Sequence, residues 1–309
     1  MPQPVPKRMT SRALGEQYEK YRMAGRIASR IKDLLRNSVE EGGLALEICE
    51  KVEEWIVELG GRPAFPCNIG INEIAAHFTP GPDDGTRIPE NSIVKLDFGV
   101  HVDGYISDNA ITYVFNPKYE HLRIAAEEAL NSATDVIRAG LRASEIGAVI
   151  EREIIRYGCK PVRDLTGHKM DRYTIHAGKS LPNVPSINGS RILEGEVYAI
   201  EPFATISTGA GTVVGRDGQI YRLVKEKGVR DRRADEMLDF IRREYKGLPF
   251  AQRWVLGARF PMDYIEAWRE LVKKRCIAPY PVLVEASNGP VAQSEHTVII
   301  LRDGCEVLT

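Results

Sequence analysis

Cysteine is scarce in this 309-residue chain: Cys49, Cys67, Cys159, Cys276 and Cys305 are odd in number and never spaced C-x-x-C. That excludes a disulfide framework and a thiolate zinc site, and fits a reducing compartment. Net charge is also lacking, with 42 basic against 43 acidic side chains. Such a balance argues against a nucleic-acid-binding protein, which usually carries a basic excess. No run of about 18 uncharged apolar residues offers a membrane span, and the first residues, MPQPVPKRMTSRALGEQ, lack the apolar stretch of a secretory signal. A cytoplasmic globular protein with no membrane partner and no specific nucleic-acid partner is expected.

Local patterning predicts a mixed α/β chain. Residues 10–37 carry apolar side chains at helical spacing (Leu14, Tyr18, Tyr21, Ile27, Ile31, Leu34, Leu35), and residues 44–59 form a second helix ending on Gly60-Gly61. RPAFPCNIGINEIAAHFTPGPDDG reads as loop-rich because of its Pro and Gly punctuation. Two further helical segments run from Pro117 to about Tyr157. GEVYAIEPFATI and TVVGRDGQIYRLV read as strands. From about Asp231 to Cys276 the pattern is charged amphipathic helix, and the chain then returns to strands. The basic clusters Arg230 to Arg233 and Lys273 to Arg275 read as solvated helix faces.

The chemistry concentrates in VKLDFGVHVDGYISDNA, residues 94–110. Val94, Leu96, Phe98 and Val100 alternate with Lys95, Asp97, Gly99 and His101, which is strand periodicity. Asp103-Gly104 signals a two-residue turn. If that turn sets the register, Asp97 lies opposite Ala110 and Asp108 opposite Gly99. The two carboxylates then share a face as diagonal neighbours about 7–8 Å apart at the backbone, with Gly99 leaving space between them. A lone Asp near a turn is usually structural, as Asp103 is expected to be. Two converging on an apolar scaffold repel unless a cation sits between them, and carboxylate oxygens suit a divalent ion.

Three more residues stand out. His168 lies in DLTGHKM, read as a Gly-containing loop. Glu201 sits in the apolar strand VYAIEPF and Glu295 in VAQSEHTVIIL, neither with an evident reason to bury an acid. A buried Glu can be a hydrogen-bonded structural residue, so each is weak alone. Together, two Asp, one His and two Glu would form an oxygen-rich cage for two metal ions.

The set Asp97 (KLDFG), Asp108 (SDNA), His168 (TGH), Glu201 (IEPF) and Glu295 (SEHT) resembles the dinuclear site of the methionine aminopeptidases, with matching intervals. The likeness spans essentially the whole chain. It implies a "pita-bread" α/β fold: a single domain over 1–309, a curved antiparallel sheet, helices outside and metals on the concave face. The helical block near 224–278 resembles the insertion of the type II branch, in its short archaeal-like form. By the same resemblance Asp97 is a ligand of one metal, Asp108 and Glu295 bridge, and His168 with Glu201 holds the other. Co, Mn, Fe(II) or Zn would serve. His77 (AAHF) and His176 (TIHAG) resemble the two non-ligand histidines that contact the scissile peptide, and Glu201 the group that relays a proton. Phe65, Ile175 and Tyr280 match the pocket for the Met side chain.

The implied activity is removal of the N-terminal Met of nascent polypeptides when the second residue is small. A monomer and ribosome association are further expectations of the resemblance. An X-Pro aminopeptidase or prolidase shares the fold and ligands but usually carries a large extra N-terminal domain. A non-catalytic pita-bread binding protein is the other alternative, although such relatives typically lose metal ligands. His101, His121 and His296 are expected to be structural.

Overall fold

Two helices open the computed structural model, which describes residues 11–187 and 189–309: α1 (Ser11–Leu35) and α2 (Ala45–Glu58). The Pro-rich lead and the expected helix start at Thr10 lie outside the described residues. Ala24, Ala28, Ile31 and Leu35 of α1 recur at i, i+4, i+7 and i+11, and all are buried. They pack with Ala45, Cys49, Val52 and Ile56 of α2 into one apolar cluster. Gly60, at φ +88°, closes α2 while its N–H donates to the Val57 carbonyl at 3.0 Å.

That cluster covers the back of an antiparallel sheet of β1 (Arg62–Ile71), β3 (Ile93–Val102) and β4 (Tyr105–Val114); the short β2 (Ile74–Ala76) lies between β1 and β3 in the chain. The β3–β4 register is the one the turn dictates: Val102 pairs with Tyr105, Asp97 with Ala110, Gly99 with Asp108. Asp103 and Gly104 both adopt positive φ, as such a turn requires. The loop-rich reading of residues 62–71 is corrected, because they form a ten-residue strand paired with β3. Its ladder breaks between Pro63 and Phe65 and again between Phe65 and Asn68. Such irregularities admit Pro63 and Pro66, which have no N–H for a regular ladder.

A second half repeats the scheme. Helices α3 (Glu120–Val136) and α4 (Ala143–Arg156) precede the short strands β5 (Cys159–Pro161), β6 (Thr166–Met170), β7 (Ser180–Pro182), β8 (Val197–Ile200), β9 (Phe203–Ile206), β10 (Val213–Arg216) and β11 (Ile220–Leu223). A helical block follows: α5 (Arg232–Tyr245), β12 (Phe250–Ala251), α6 (Gln252–Val255) and α7 (Ile265–Lys273). The chain ends in β13 (Ile277–Pro279), β14 (Val282–Glu285), β15 (Val291–Gln293), β16 (His296–Ile300) and β17 (Cys305–Val307). Strands β17-β16-β8-β6-β7 form one sheet and β15-β9-β5 another. Leu122, Leu130, Ile146, Ile150 and Ile154 of α3 and α4 pack on Tyr198, Ile200, Ala204, Val298 and Ile300 of those sheets.

The halves are stitched together by two threonines. Thr297 Oγ1 accepts from the Asp108 N–H at 2.7 Å and donates to the Asp108 carbonyl at 2.8 Å. Thr112 Oγ1 does the same for Gln293, at 3.0 and 2.6 Å. Ala110 and Glu295 form a bridge between them. A seam built this way fixes β4, which carries Asp108, against the β15–β16 junction, which carries Glu295.

Helices α5–α7 bury Met237, Leu238, Ile241, Phe250, Val255, Trp268 and Leu271 in a cluster of their own. Asp231 Oδ1 caps α5 by accepting from the Ala234 N–H at 2.8 Å. Arg230, Arg232, Arg233 and Lys273 to Arg275 are exposed, as read from the sequence. Among the described residues all five cysteines are free, and no helix is long and apolar enough to cross a membrane.

Candidate metal centre

Asp97 and Asp108 project from one face of the β3–β4 hairpin, and the Thr297 seam brings Glu295 to the same point. One ligand oxygen from each of the three lies within 4.8 Å of the others. His168 Nε2 stands 3.5 Å from Asp108 Oδ2 and 3.4 Å from Glu201 Oε1. All five residues border one cavity of about 440 Å³. The sequence thus nominated five side chains that the fold does bring together.

Their backbone settings differ from expectation in three cases. His168 is not on a loop: it lies in β6, paired with Ala199 and Ser180. Gly167 makes this possible, because a Cβ there would come within 2.4 Å of the Ala199 carbonyl oxygen. Glu201 is not inside a strand but at the break between β8 and β9, where Pro202 interrupts the ladder. Glu295 sits between β15 and β16 rather than within a strand. Asp97, Asp108 and His168 thus reach the cavity from within ladders, and Glu201 and Glu295 from strand junctions.

Burial raises the Asp97 carboxyl to about 7. It raises Asp108 well above the carboxylate range, with the Asp97 charge second. Glu201 and Glu295 are raised well above that range too, first by burial and then by Asp108. Burial lowers His168 to about 3, helped by His176, so its imidazole is neutral. Asp97 Oδ1, His168 Nδ1 and Glu295 Oε1 are buried without a hydrogen-bond partner. Four crowded acids, a neutral imidazole and orphaned polar atoms are costly in a bare protein. The same donor set fits a divalent cation, so the residues present suit the metal that the sequence implied.

Around this core lie the two other histidines. His77 Nδ1 contacts the Pro281 carbonyl at 3.3 Å, and its ring meets Tyr280 edge-on at 5.6 Å. The His176 ring lies 4.5 Å from that of His168 and 6.4 Å from Tyr280. Burial lowers His77 to about 4 and also lowers His176. His77 holds φ +64°, a left-handed conformation unusual for a side chain with a Cβ. Phe65, Ile175 and Tyr280 line the cavity as read from the sequence, joined by Phe203, Ile220 and Leu283. Gly99 needs correction: a Cβ there would come within 2.3 Å of the Phe65 ring, so it makes room for the cavity wall and not for ions.

Three neighbours escaped sequence reading. Asn68, opposite Asp97 across β1–β3, is buried at the cavity with its Oδ1 unpaired. Gln293 donates to Glu295 Oε2 at 3.2 Å and offsets part of the rise that burial imposes on Asp97. Lys32 reaches from α1 to the Glu295 carbonyl at 3.2 Å, where burial lowers its ammonium to about 8. An amide in a strand and a lysine on an amphipathic helix give no compositional signal. His101 and His296 are structural: one accepts from the Gly104 N–H, and the other contacts Thr309 Oγ1.

A family model described as "Metallopeptidase family M24" matches residues 19–260. The chain is 44% identical over 295 residues to a "Methionine aminopeptidase" of Methanothermobacter thermautotrophicus, covering 94% of this chain and 98% of that one. It is 46% identical over 288 residues to another from Thermococcus onnurineus, covering 93% and 97%. Its fold is similar to a methionine aminopeptidase structure from Thermotoga maritima, with TM-score 0.69, 20% identity and 99% of both chains covered. A thermophilic Arx1 structure gives TM-score 0.81 at 17% identity, over 95% and 90% of the two chains. A prolidase from Pyrococcus furiosus gives 0.60 at 18% identity, over 95% of this chain and 64% of that one.

Proposed function

Because the chain belongs to metallopeptidase family M24, we propose that it removes the N-terminal methionine of nascent polypeptides with a small second residue, using two divalent cations held by Asp97, Asp108, His168, Glu201 and Glu295. It is a metal-dependent aminopeptidase of the methionine-removing kind, as its archaeal relatives at 43–46% identity are. One observation carries the assignment of the site: the carboxylates of Asp97, Asp108 and Glu295 converge within 4.8 Å, beside an imidazole shared by Asp108 and Glu201. Asp97, Asp108 and Glu295 would hold the cations at the converging carboxylates, with His168 and Glu201 as the further ligands beside Asp108. Mn, Fe(II), Co and Zn all suit this donor set.

Bound there, divalent cations supply Lewis acidity and make a water nucleophilic near neutral pH. The protein's groups do the rest. Glu201, whose proton affinity burial raises, takes the proton of the attacking water and relays it towards the leaving amine. His176 borders the cavity and can donate an N–H to the oxygen that gains negative charge. His77 faces a carbonyl, which can only accept, so its Nδ1 carries the proton and its Nε2 is left as an acceptor. That tautomer suits it to hold a substrate peptide N–H rather than to protonate the amine. Phe65, Ile175 and Tyr280 surround the methionine side chain.

Residues 224–278, with their own apolar cluster, are assigned as the type II helical insertion. The prolidase alternative is not favoured, since the relatives matched over nearly full length at 44–46% identity are methionine aminopeptidases. A non-catalytic role fits poorly with five intact metal-binding side chains.

The limited volume of the cavity, about 440 Å³, leads to a test of specificity. Met-Ala and Met-Pro peptides should be cleaved at least about tenfold faster than Met-Leu or Met-Lys, judged by kcat/KM on metal-loaded protein. Equal rates across the four would remove the small-residue rule.

A further inference from the structure

The strongest polar assembly outside the metal centre joins the helical block to the segment that carries His77. Arg253, on α6, is buried, 7% exposed. Its Nη1 donates to Thr79 Oγ1 at 2.7 Å and to the Pro80 carbonyl at 3.2 Å, while its Nη2 donates to Glu53 of α2. Glu53 also accepts from Trp254 Nε1 at 2.8 Å and from the Cys67 N–H at 3.0 Å. Thr79 Oγ1 closes the circuit by donating to the Cys67 carbonyl at 2.8 Å. A buried ion pair is a poor stabiliser, because desolvation offsets most of the attraction. A planar guanidinium that ties its own helix to two other segments, residues 79–80 and α2, is suited to fixing geometry.

His77 is the residue whose geometry needs fixing. A left-handed φ at a side chain with a Cβ persists only where the surrounding structure over-determines it. On the N-terminal side Ala76 pairs with Leu283 of β14. On the C-terminal side the Phe78 carbonyl accepts from the Ile69 N–H at 2.8 Å, and then comes the Thr79-Pro80 step held by Arg253. From this we infer that Arg253 is a positioning residue for His77, through which the helical block sets the peptide-binding side of the cavity. The inference rests on the reading of His77 as the group that holds the substrate peptide.

A double-mutant cycle on metal-loaded, full-length protein tests it, with Met-Ala-Ser as substrate. Arg253→Lys keeps a positive charge beside Glu53 but removes the fork. It should lower kcat/KM by about 10- to 100-fold, the usual loss from a misplaced group. In a His77→Ala background the same change should cost less than about twofold, since the residue it positions is gone. An equal factor in both backgrounds, or no loss from Arg253→Lys alone, overturns the inference. Thr79→Val, which cuts the same link with an isosteric side chain, carries the cycle if Arg253→Lys fails to fold. A His77→Ala variant with unchanged kcat/KM would overturn the role of His77 as well; an impaired one whose losses simply multiply overturns only the positioning role of Arg253.

Discussion

Asp97→Asn is expected to abolish turnover and, in the metal-free protein, to raise the melting temperature. Both effects follow from one geometry. Burial already holds the Asp97 carboxyl near 7, and its charge pushes Asp108 and Glu295 further up. An amide of the same shape removes one of four crowded acids, so the bare variant should melt roughly 1–2 °C higher at pH 8, the shift that about 1 kcal/mol brings to a chain of this size. Function pays the opposite way. Losing a ligand removes most of the electrophilic and nucleophile-generating power of the cations, several kcal/mol of barrier, and kcat/KM should fall about a thousandfold or more. With saturating metal the order of stabilities reverses, because the wild type binds the ions more tightly. Chelated and metal-loaded thermal melts, run beside the peptide assay, test all three statements. Wild-type turnover by the variant at saturating metal would sink the ligand assignment.

The second large effect is a pH-dependent response to metal. Asp97, Asp108, Glu201 and Glu295 have folded pKa values raised above their unfolded ones. The metal-free native state therefore holds protons that the unfolded chain has released. The stability tied to those protons is fully present below about pH 4 and is lost as pH rises through the folded values, about 7 for Asp97. His168 and His77, held near 3 and 4, act in the opposite sense: stability is lost as pH falls below about 6.5, where the unfolded imidazoles take up protons. The metal-free protein should thus weaken on both sides of a mildly acidic optimum. Binding a cation expels the carboxyl protons, so the gain in melting temperature on adding Mn(II) should grow from pH 5.5 to pH 8.5. A gain independent of pH would contradict the crowded-acid description.

What the sequence revealed followed from strong local signals. Asp103-Gly104 is unambiguous turn chemistry, and the strict alternation before it left a single register, so the opposition of Asp97 and Ala110 could be read without coordinates. Acids in apolar surroundings marked Glu201 and Glu295, but periodicity alone cannot distinguish a residue within a strand from one at a junction where Pro202 or Ser294 breaks the ladder. Residues 62–71 were hidden by Pro63 and Pro66, whose local preference for loops yields to the long pairing with β3. His168 was misassigned because Gly167 mimics a loop when its role is close approach to Ala199. Lys32, Gln293 and Arg253 become informative only when distant segments meet, and no local pattern encodes that meeting.

The central claim is that these five side chains hold divalent cations that drive removal of an N-terminal methionine. Its most direct test is to strip the metals, restore Mn(II), Fe(II), Co(II) or Zn(II) one at a time, and assay Met-Ala-Ser against Ala-Pro-Ser. The stripped protein should cleave neither peptide, and at least one ion should restore methionine release from Met-Ala-Ser alone. Cleavage by the stripped protein, or preferential cleavage of Ala-Pro-Ser, would contradict it.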